Sequence, residues 1–300
     1  MKMKQSMGYR VFYIFNIIFM IFLGVIMIFP YLNTLAKAFN QAADSARGGI
    51  TIFPRVFTLE NFKTVLTANG MGRAAAVSVS RVAIAVVLSI IVQFGAAYAL
   101  SNNFPGKKFF NLLFTIPMFI GGGLVPTYVL ISNIGLLNNF WVYILPGLFS
   151  FYNVVIIRTF IQSTIPESLF ESAVIDGSDE IKIFFKIVLP LSKPILATVA
   201  LWVMVAHWND WTSTLYYIRK SSLFTLQYIM MQLVKETERL QKLQQAAIEM
   251  GVDVSNMHTK VTSESIISAQ VMITTIPIIC VYPFLQKYFI KGIMMGSIKG

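Results

Sequence analysis

A chain of 300 residues that is 56% hydrophobic and only 12% charged is not a water-soluble globule, because soluble domains carry nearer a quarter of their residues as charges. Its formal net charge of +11, in so apolar a chain, points to anionic lipid headgroups and membrane topology and not to nucleic acid. The one cysteine, Cys280, excludes an intramolecular disulfide, and two distant histidines leave no metal-ligand cluster.

Six spans are predicted in chain order. The first, residues 11–36, is free of charge and longer than the roughly 20 residues a bilayer crossing needs. It is too long for a signal core and lacks a clear small-residue cleavage site, so it is read as retained. An outer segment, 37–73, leads to the second span, 74–100, whose Arg81 is expected to snorkel to the interface. From Phe109 to Ile157 no Asp, Glu, Lys or Arg occurs. That length fits two spans, 109–131 and 140–157, divided by a turn region at Asn133–Asn139. Gly121–Gly123 reads either as a helix break beside a cavity or as small residues for close helix contact; the second is preferred. The fifth span is 194–217 and the sixth 266–286. Backbone groups in hydrocarbon must be paired internally, so these are helices, and the alternation of barrel strands is absent. The chain reads as an all-α membrane protein.

Orientation follows from basic residues in short flanks. Lys2, Lys4 and Arg10 precede span one, and Lys107 and Lys108 lie between spans two and three. Arg158, Lys182, Lys186 and Lys193 border the segment 159–193, while Lys287, Lys291 and Lys299 follow span six. Placing these inside puts both termini in the cytoplasm. Tyr9, Tyr13, Tyr31, Trp141, Tyr143 and Tyr288 lie near span ends, where interfacial anchors belong.

The segment 159–193 carries Glu171-Ser172-Ala173 with Gly177, then Ile187-Val188-Leu189-Pro190. Pro166 suits a helix start and Gly177 a left-handed residue just past a helix end. Between them Leu169, Phe170, Ala173 and Val174 recur at helical spacing as one apolar stripe. A second short segment, from Ser178 to Val188, leads to Pro190, which interrupts any continuing helix. Such a stripe rests on the membrane surface or fills a groove on another protein.

The spacing resembles the EAA loop of ABC importer permeases, with Glu171, Ala173, Gly177, Ile187, Leu189 and Pro190 at matching offsets and Ser172 in place of one alanine. Phe53–Phe62, Pro117, Pro126, Pro146, Arg158 and Trp208-Asn209-Asp210-Trp211 resemble the order found in carbohydrate-importer permeases of the MalG type. Gly121–Tyr128 looks closest to the LplC/YtcP subgroup, linked to import of plant or algal polysaccharide fragments. The resemblance implies the MetI/MalG-like fold and a cytoplasmic coupling helix whose Glu171, Ser172, Ala173, Asp176 and Gly177 dock an ATP-binding subunit. It also implies the partners: a second permease, two ATP-binding subunits, an extracellular substrate-binding protein and an oligosaccharide. ATP and magnesium belong to the partner subunits. This chain lacks the phosphate loop, since Gly106-Lys107-Lys108 has neither the upstream glycine nor the hydroxyl.

Residues for the solute are sought among polar groups inside the spans. Trp208, Asn209, Asp210 and Trp211 offer aromatic faces and hydrogen-bonding groups suited to sugar, or belong to a headgroup anchor. His207 reads as an interhelical hydrogen-bonding residue. In the outer segment 219–265, Leu226, Ile229, Met230, Leu233, Leu240, Leu243, Ala247 and Met250 predict one long helix or two, ending near Gly251, with Glu238 and Lys242 paired. Arg219, Lys220, Lys235, Arg239 and Lys242 suit the binding protein's surface or an acidic oligosaccharide. A permease of the same architecture for polyamine or phosphate is the alternative. A secondary transporter ranks lower, since internal inverted halves and a mid-depth ionisable pair are not visible, and an enzyme lacks any nucleophile–base set.

Overall fold

The computed structural model describes residues 7–45, 47–68, 70–250 and 262–296, with side chains at all of these except 244, 282 and 284–296. Lys2, Lys4, Gly251 and Lys299, and the side chains of Lys287, Tyr288 and Lys291, lie outside the described residues. The regular elements among the described residues are all helices, joined by turns and loops, with one isolated bridge between Asn40 and Phe57. Among the described residues three helices are long and apolar enough to cross a bilayer, and up to six spans result if each of three bent helix pairs counts as one. The chain divides into two compact units.

The first unit holds residues up to 69 and residues 230–276. Its helix α1 (Met7–Ala38) leaves its apolar side chains from Met7 to Phe29 almost all exposed, as a helix apolar all round does when lipid surrounds it. Beyond it the Phe53–Phe62 segment builds a knot. Asn61, 1% exposed, donates from Nδ2 to the carbonyls of Ala38 and Asn40 at 2.9 Å each. Phe39 contacts the rings of Phe57 and Phe62. Arg55 holds Asp44, in the short helix α2 (Ala42–Ser45), through a 2.9 Å hydrogen bond. The Asn40 amide first, and Arg55 after it, keep the Asp44 carboxyl below its ordinary range. Helix α3 (Glu60–Leu66) follows, and Lys37 pairs with Glu264 at 2.7 Å.

The second unit, residues 70–229 and 277 onward, is built on α4 (Met71–Ser101). Its inward face is Ala74, Ser78, Arg81, Ala85, Ser89, Gln93 and Ala97, mostly small residues at three-to-four spacing that let neighbouring backbones approach closely. Helices α5 (Lys107–Phe119) and α6 (Leu124–Asn133) meet at 119°. The preferred close-contact role of Gly121–Gly123 is therefore corrected: a Cβ at Gly121 or Gly123 would meet nothing within 4 Å. The glycines break the helix instead. Gly123 adopts φ 79°, ψ −179°, a region open essentially to glycine alone. Gly123→Val is expected to cost about 1–3 kcal/mol of stability, read by thermal unfolding in detergent, while Gly121→Ala stays within about 0.5 kcal/mol.

The fourth predicted span begins as 3₁₀ turns, Phe140–Tyr143 and Leu145–Gly147, and bends by 50° into α7 (Phe151–Thr164). Pro146 accounts for the weak start, since it cannot donate to a continuing helix. Helix α8 (Glu167–Ile175) and the short α9 (Glu180–Ile183) make up the loop, followed by a π turn (Phe184–Val188) and α10 (Leu189–Leu191). The chain then bends by 75° into α11 (Lys193–Asn209). The predicted span 194–217 is thus two helices, α11 and α12 (Thr212–Tyr217), separated where Asp210 turns extended. Helix α13 (Leu226–Glu249) is single and unbroken, and α14 (Ser263–Gly296) runs beyond the predicted sixth span on both sides.

Candidate functional site: a glycine-capped loop and a charged cavity

Pro166 stands at the N-cap of α8 with φ −63° and ψ 141°. Its missing N–H costs nothing there, because the first turn of a helix has no intrahelical acceptor for it. At the other end Gly177 takes φ 71°. Its N–H donates to the Val174 carbonyl at 3.0 Å and the Ser178 N–H to the Ala173 carbonyl at 2.9 Å. This reciprocal pair satisfies two end-of-helix carbonyls and needs a left-handed residue between them. The Asp179 carboxylate then accepts the Lys182 N–H at 2.8 Å, which fixes the start of α9.

The expected single stripe on α8 is split between two faces. Ala173, expected among the docking residues, is 7% exposed and sits in the chain's own core, with Phe170 packed against it. This is a correction: Ala173 sets how closely α8 lies on the bundle and presents no surface. Glu171, Ser172, Asp176 and Gly177 are exposed. Beside them stand Val174 and Ile175, 61% and 85% exposed, and farther on Ile181 and Phe185. Ile181 and Phe185 fall outside the periodic stripe, so the sequence does not single them out. Under α8 a cavity of about 570 Å³ is lined by Tyr98, Asn102, Lys107, Gln162, Glu167 and Glu180.

A second cavity, of about 390 Å³, opens at the other end of α4, with Arg81, Tyr143, His207, Asp210, Ser213 and Tyr217 among its lining residues. Arg81 does not snorkel. Its residue is 2% exposed and stands about 15 Å along α4 from Met71. Its guanidinium donates to His207 Nδ1 at 3.3 Å, to the Asp210 carbonyl at 3.0 Å, and to Asp210 Oδ2 in an ion pair. It also lies 4.5 Å from the centroid of the Tyr143 ring. Tyr143 is likewise no interfacial anchor: it is 2% exposed, and its hydroxyl donates to the Leu223 carbonyl at 2.7 Å. Asp210 accepts in addition from Thr212 Oγ1, Ser213 N and Ser213 Oγ. A buried charge is tolerated only when paired and hydrogen-bonded, and this one is.

Of the expected Trp208–Trp211 group, only Asp210 lines this cavity. Trp208 is buried, Trp211 half-buried, and Asn209 is exposed with Oδ1 3.5 Å from Gln227 Nε2. The basic residues fall in two groups. The Arg219 and Lys220 backbone N–H groups donate to Asn138 Oδ1 in the second unit, and both residues are exposed. Lys235, Arg239 and Lys242 border a shallow pocket on α13 with Glu238 and Leu243. There the ion pair is Arg239 with Glu236 at 4.0 Å, in place of the expected Glu238–Lys242 pair. Among the described residues no group of three His, Cys, Asp or Glu could hold a metal ion.

Apolar helices, three of them long enough to cross a bilayer and three bent pairs among the described residues, together with a loop that exposes apolar side chains, fit a polytopic membrane protein. The chain belongs to the family of binding-protein-dependent transport system inner membrane components, which it matches over residues 5–295; it is a transport component and not an enzyme. It is 36% identical to protein LplC of Bacillus subtilis (strain 168), covering 99% of this chain and 98% of that one. It is 31% identical to the polygalacturonan/rhamnogalacturonan transport system permease protein YtcP of the same organism, over 94% and 96%. A crystal structure of a bacterial ABC transporter involved in import of the acidic polysaccharide alginate shares the fold, with a TM-score of 0.77 at 23% identity, covering 95% of this chain and 99% of that chain.

Proposed function

We propose that this chain is one of two permeases in an ATP-driven importer that takes up an oligosaccharide handed over by an extracellular binding protein. Two ATP-binding subunits supply ATP and magnesium, and this chain holds neither. Both termini face the cytoplasm, and α8 docks an ATP-binding subunit through Glu171, Ser172, Val174, Ile175, Asp176 and Gly177. The cavity at Arg81 and Asp210 lies on the solute path, with Trp208–Trp211 at its border. Arg219, Lys220, Lys235, Arg239 and Lys242 meet the binding protein.

The observation that carries this reading is the exposed apolar edge of α8 held in place by Gly177: a surface of this kind costs solvation unless a groove receives it. The sugar class is supported by the names of the relatives, which include permeases for polygalacturonan and for arabinooligosaccharides. Purification in mild detergent is expected to bring down a second permease and an ATPase pair. Titration of the cognate binding protein is expected to yield affinity for oligosaccharides and none for polyamines or phosphate. Recovery of the chain with no ATPase, or a binding protein selective for polyamine, would overturn the assignment.

A further inference from the structure

We infer that Tyr98 and Glu180 form the joint through which movement of the docking loop reaches α4. The inference rests on the reading of α8 as the ATPase-docking element and adds how its displacement is delivered. Tyr98 lies in the last turn of α4, 9% exposed, and its hydroxyl donates to Glu180 Oε2 at 2.7 Å. Glu180 opens α9, three residues beyond Gly177. Phe184, one turn further, sits between the rings of Phe94 and Tyr98, at 4.9 and 5.1 Å between centroids. Phe94 and Tyr98 are four apart on α4 and so share one face. The loop therefore grips one patch of α4 with one polar and one aromatic contact.

The polar contact matters because of where it stands. It lines the 570 Å³ cavity that parts the start of α9 from the Asn102–Lys107 connection, so the hydrogen bond stands beside open space, while Ile183, 3% exposed, and Phe184 pack against the core. The other end of the same helix carries Arg81, joined to Asp210 at the close of α11. Helix α11 itself continues from the loop through the π turn and α10. Loop, α4 and α11 form a closed frame about 25 Å tall between Tyr98 and Arg81, with the Tyr98–Glu180 hydrogen bond at one corner and the ion pair at another. Helix α5 buries none of its residues and lies outside that frame. Displacing α8 then shifts α4 and the cavity wall at Arg81 together, provided the Tyr98 corner holds. Tyr98 and Glu180 are positioning residues: they touch neither solute nor ATP.

Tyr98→Phe removes the hydroxyl and keeps the ring against Phe184. Glu180→Ala removes the acceptor, and Glu180→Gln keeps one. Each variant is reconstituted in proteoliposomes as the full complex with its ATPase subunits, second permease and binding protein. The ratio of binding-protein-stimulated to basal ATP hydrolysis is read at equal amounts of assembled complex. Tyr98→Phe and Glu180→Ala are each expected to lower that ratio about tenfold, the scale of one charge-assisted hydrogen bond. The double variant is expected to lose no more than either single one, and Glu180→Gln to remain within about twofold of wild type. An assembled, stimulated Tyr98→Phe complex would overturn the joint and leave the function standing, as would losses that multiply in the double variant. A Glu180→Gln complex as impaired as Glu180→Ala also overturns it, and if Glu180→Ala fails to assemble, Tyr98→Phe alone decides. A wild-type chain that binds no ATPase would overturn the functional reading and the joint with it.

Discussion

Replacing Arg81 by alanine is expected to destabilise the purified permease by about 3–5 kcal/mol, the range found when one member of a buried ion pair is removed. The cost arises less from lost attraction than from what is stranded. Asp210 would remain as an uncompensated charge at a helix junction, and His207 Nδ1 and the Asp210 carbonyl would lose their donors. Asp210→Ala is expected to be at least as damaging, because it also removes the acceptor for Thr212 and Ser213 at the start of α12. Neutralising both partners, as Arg81→Met with Asp210→Asn, should restore stability to within about 1–2 kcal/mol of wild type, since neither charge is then left buried alone. Reversing the pair is expected to fail. An arginine at 210 cannot reproduce the two hydrogen bonds and the Tyr143 ring contact that the Arg81 guanidinium makes beyond the carboxylate. Thermal unfolding of the four detergent-solubilised variants beside wild type separates these outcomes. Single variants as stable as wild type would mean that the cavity is not held by this pair.

The same cluster shows where sequence reasoning stops. A lone arginine in an apolar span is plain in the sequence, and its place near the start of the predicted helix suggests snorkelling. Helix α4 begins at Met71, three residues earlier, which deepens Arg81, and its partner lies 129 positions away. Nothing local announces such a partner. Tyr143 failed for a related reason: a tyrosine near a span end looks like an anchor until a neighbour supplies an acceptor such as the Leu223 carbonyl. The helix break at Gly121–Gly123 was open to either reading, because glycine serves close contact and broken helices alike. The Gly123 backbone, at φ 79° and ψ −179°, selects the break. By contrast, Pro166 and Gly177 were legible, since the missing N–H and the left-handed φ are properties of single residues at helix ends. The apolar positions of α8 were legible too, but not which of them face inward, because that depends on the core beneath Ala173.

Gly177→Pro is expected to bring binding-protein-stimulated ATP hydrolysis down to the basal rate while leaving membrane insertion unchanged. Proline fixes φ near −65°, whereas Gly177 stands at +71°, and it removes the N–H that now donates to the Val174 carbonyl. The helix end would have to re-form, turning the exposed Val174 and Ile175 away from the groove proposed to receive them, and α9 would lose its register against α4. Gly177→Asn provides the control. Asparagine tolerates the left-handed region better than other side chains and keeps the N–H, so about half or more of the stimulation should survive, while Gly177→Val, at a strain of about 1–2 kcal/mol, falls between. No neighbour lies within 4 Å of a Cβ at this position, so any ordering of the three variants reports backbone conformation and not a clash. Glu171→Arg, on the exposed face of the same helix, tests the surface independently of the turn: it leaves the Gly177 bonds intact and is expected to abolish stimulation by reversing a charge at the proposed docking face. Full stimulation in Gly177→Pro proteoliposomes would mean that α8 transmits nothing. Cross-links from Val174 or Ile175 that capture lipid alone in an active complex would place the docking surface elsewhere.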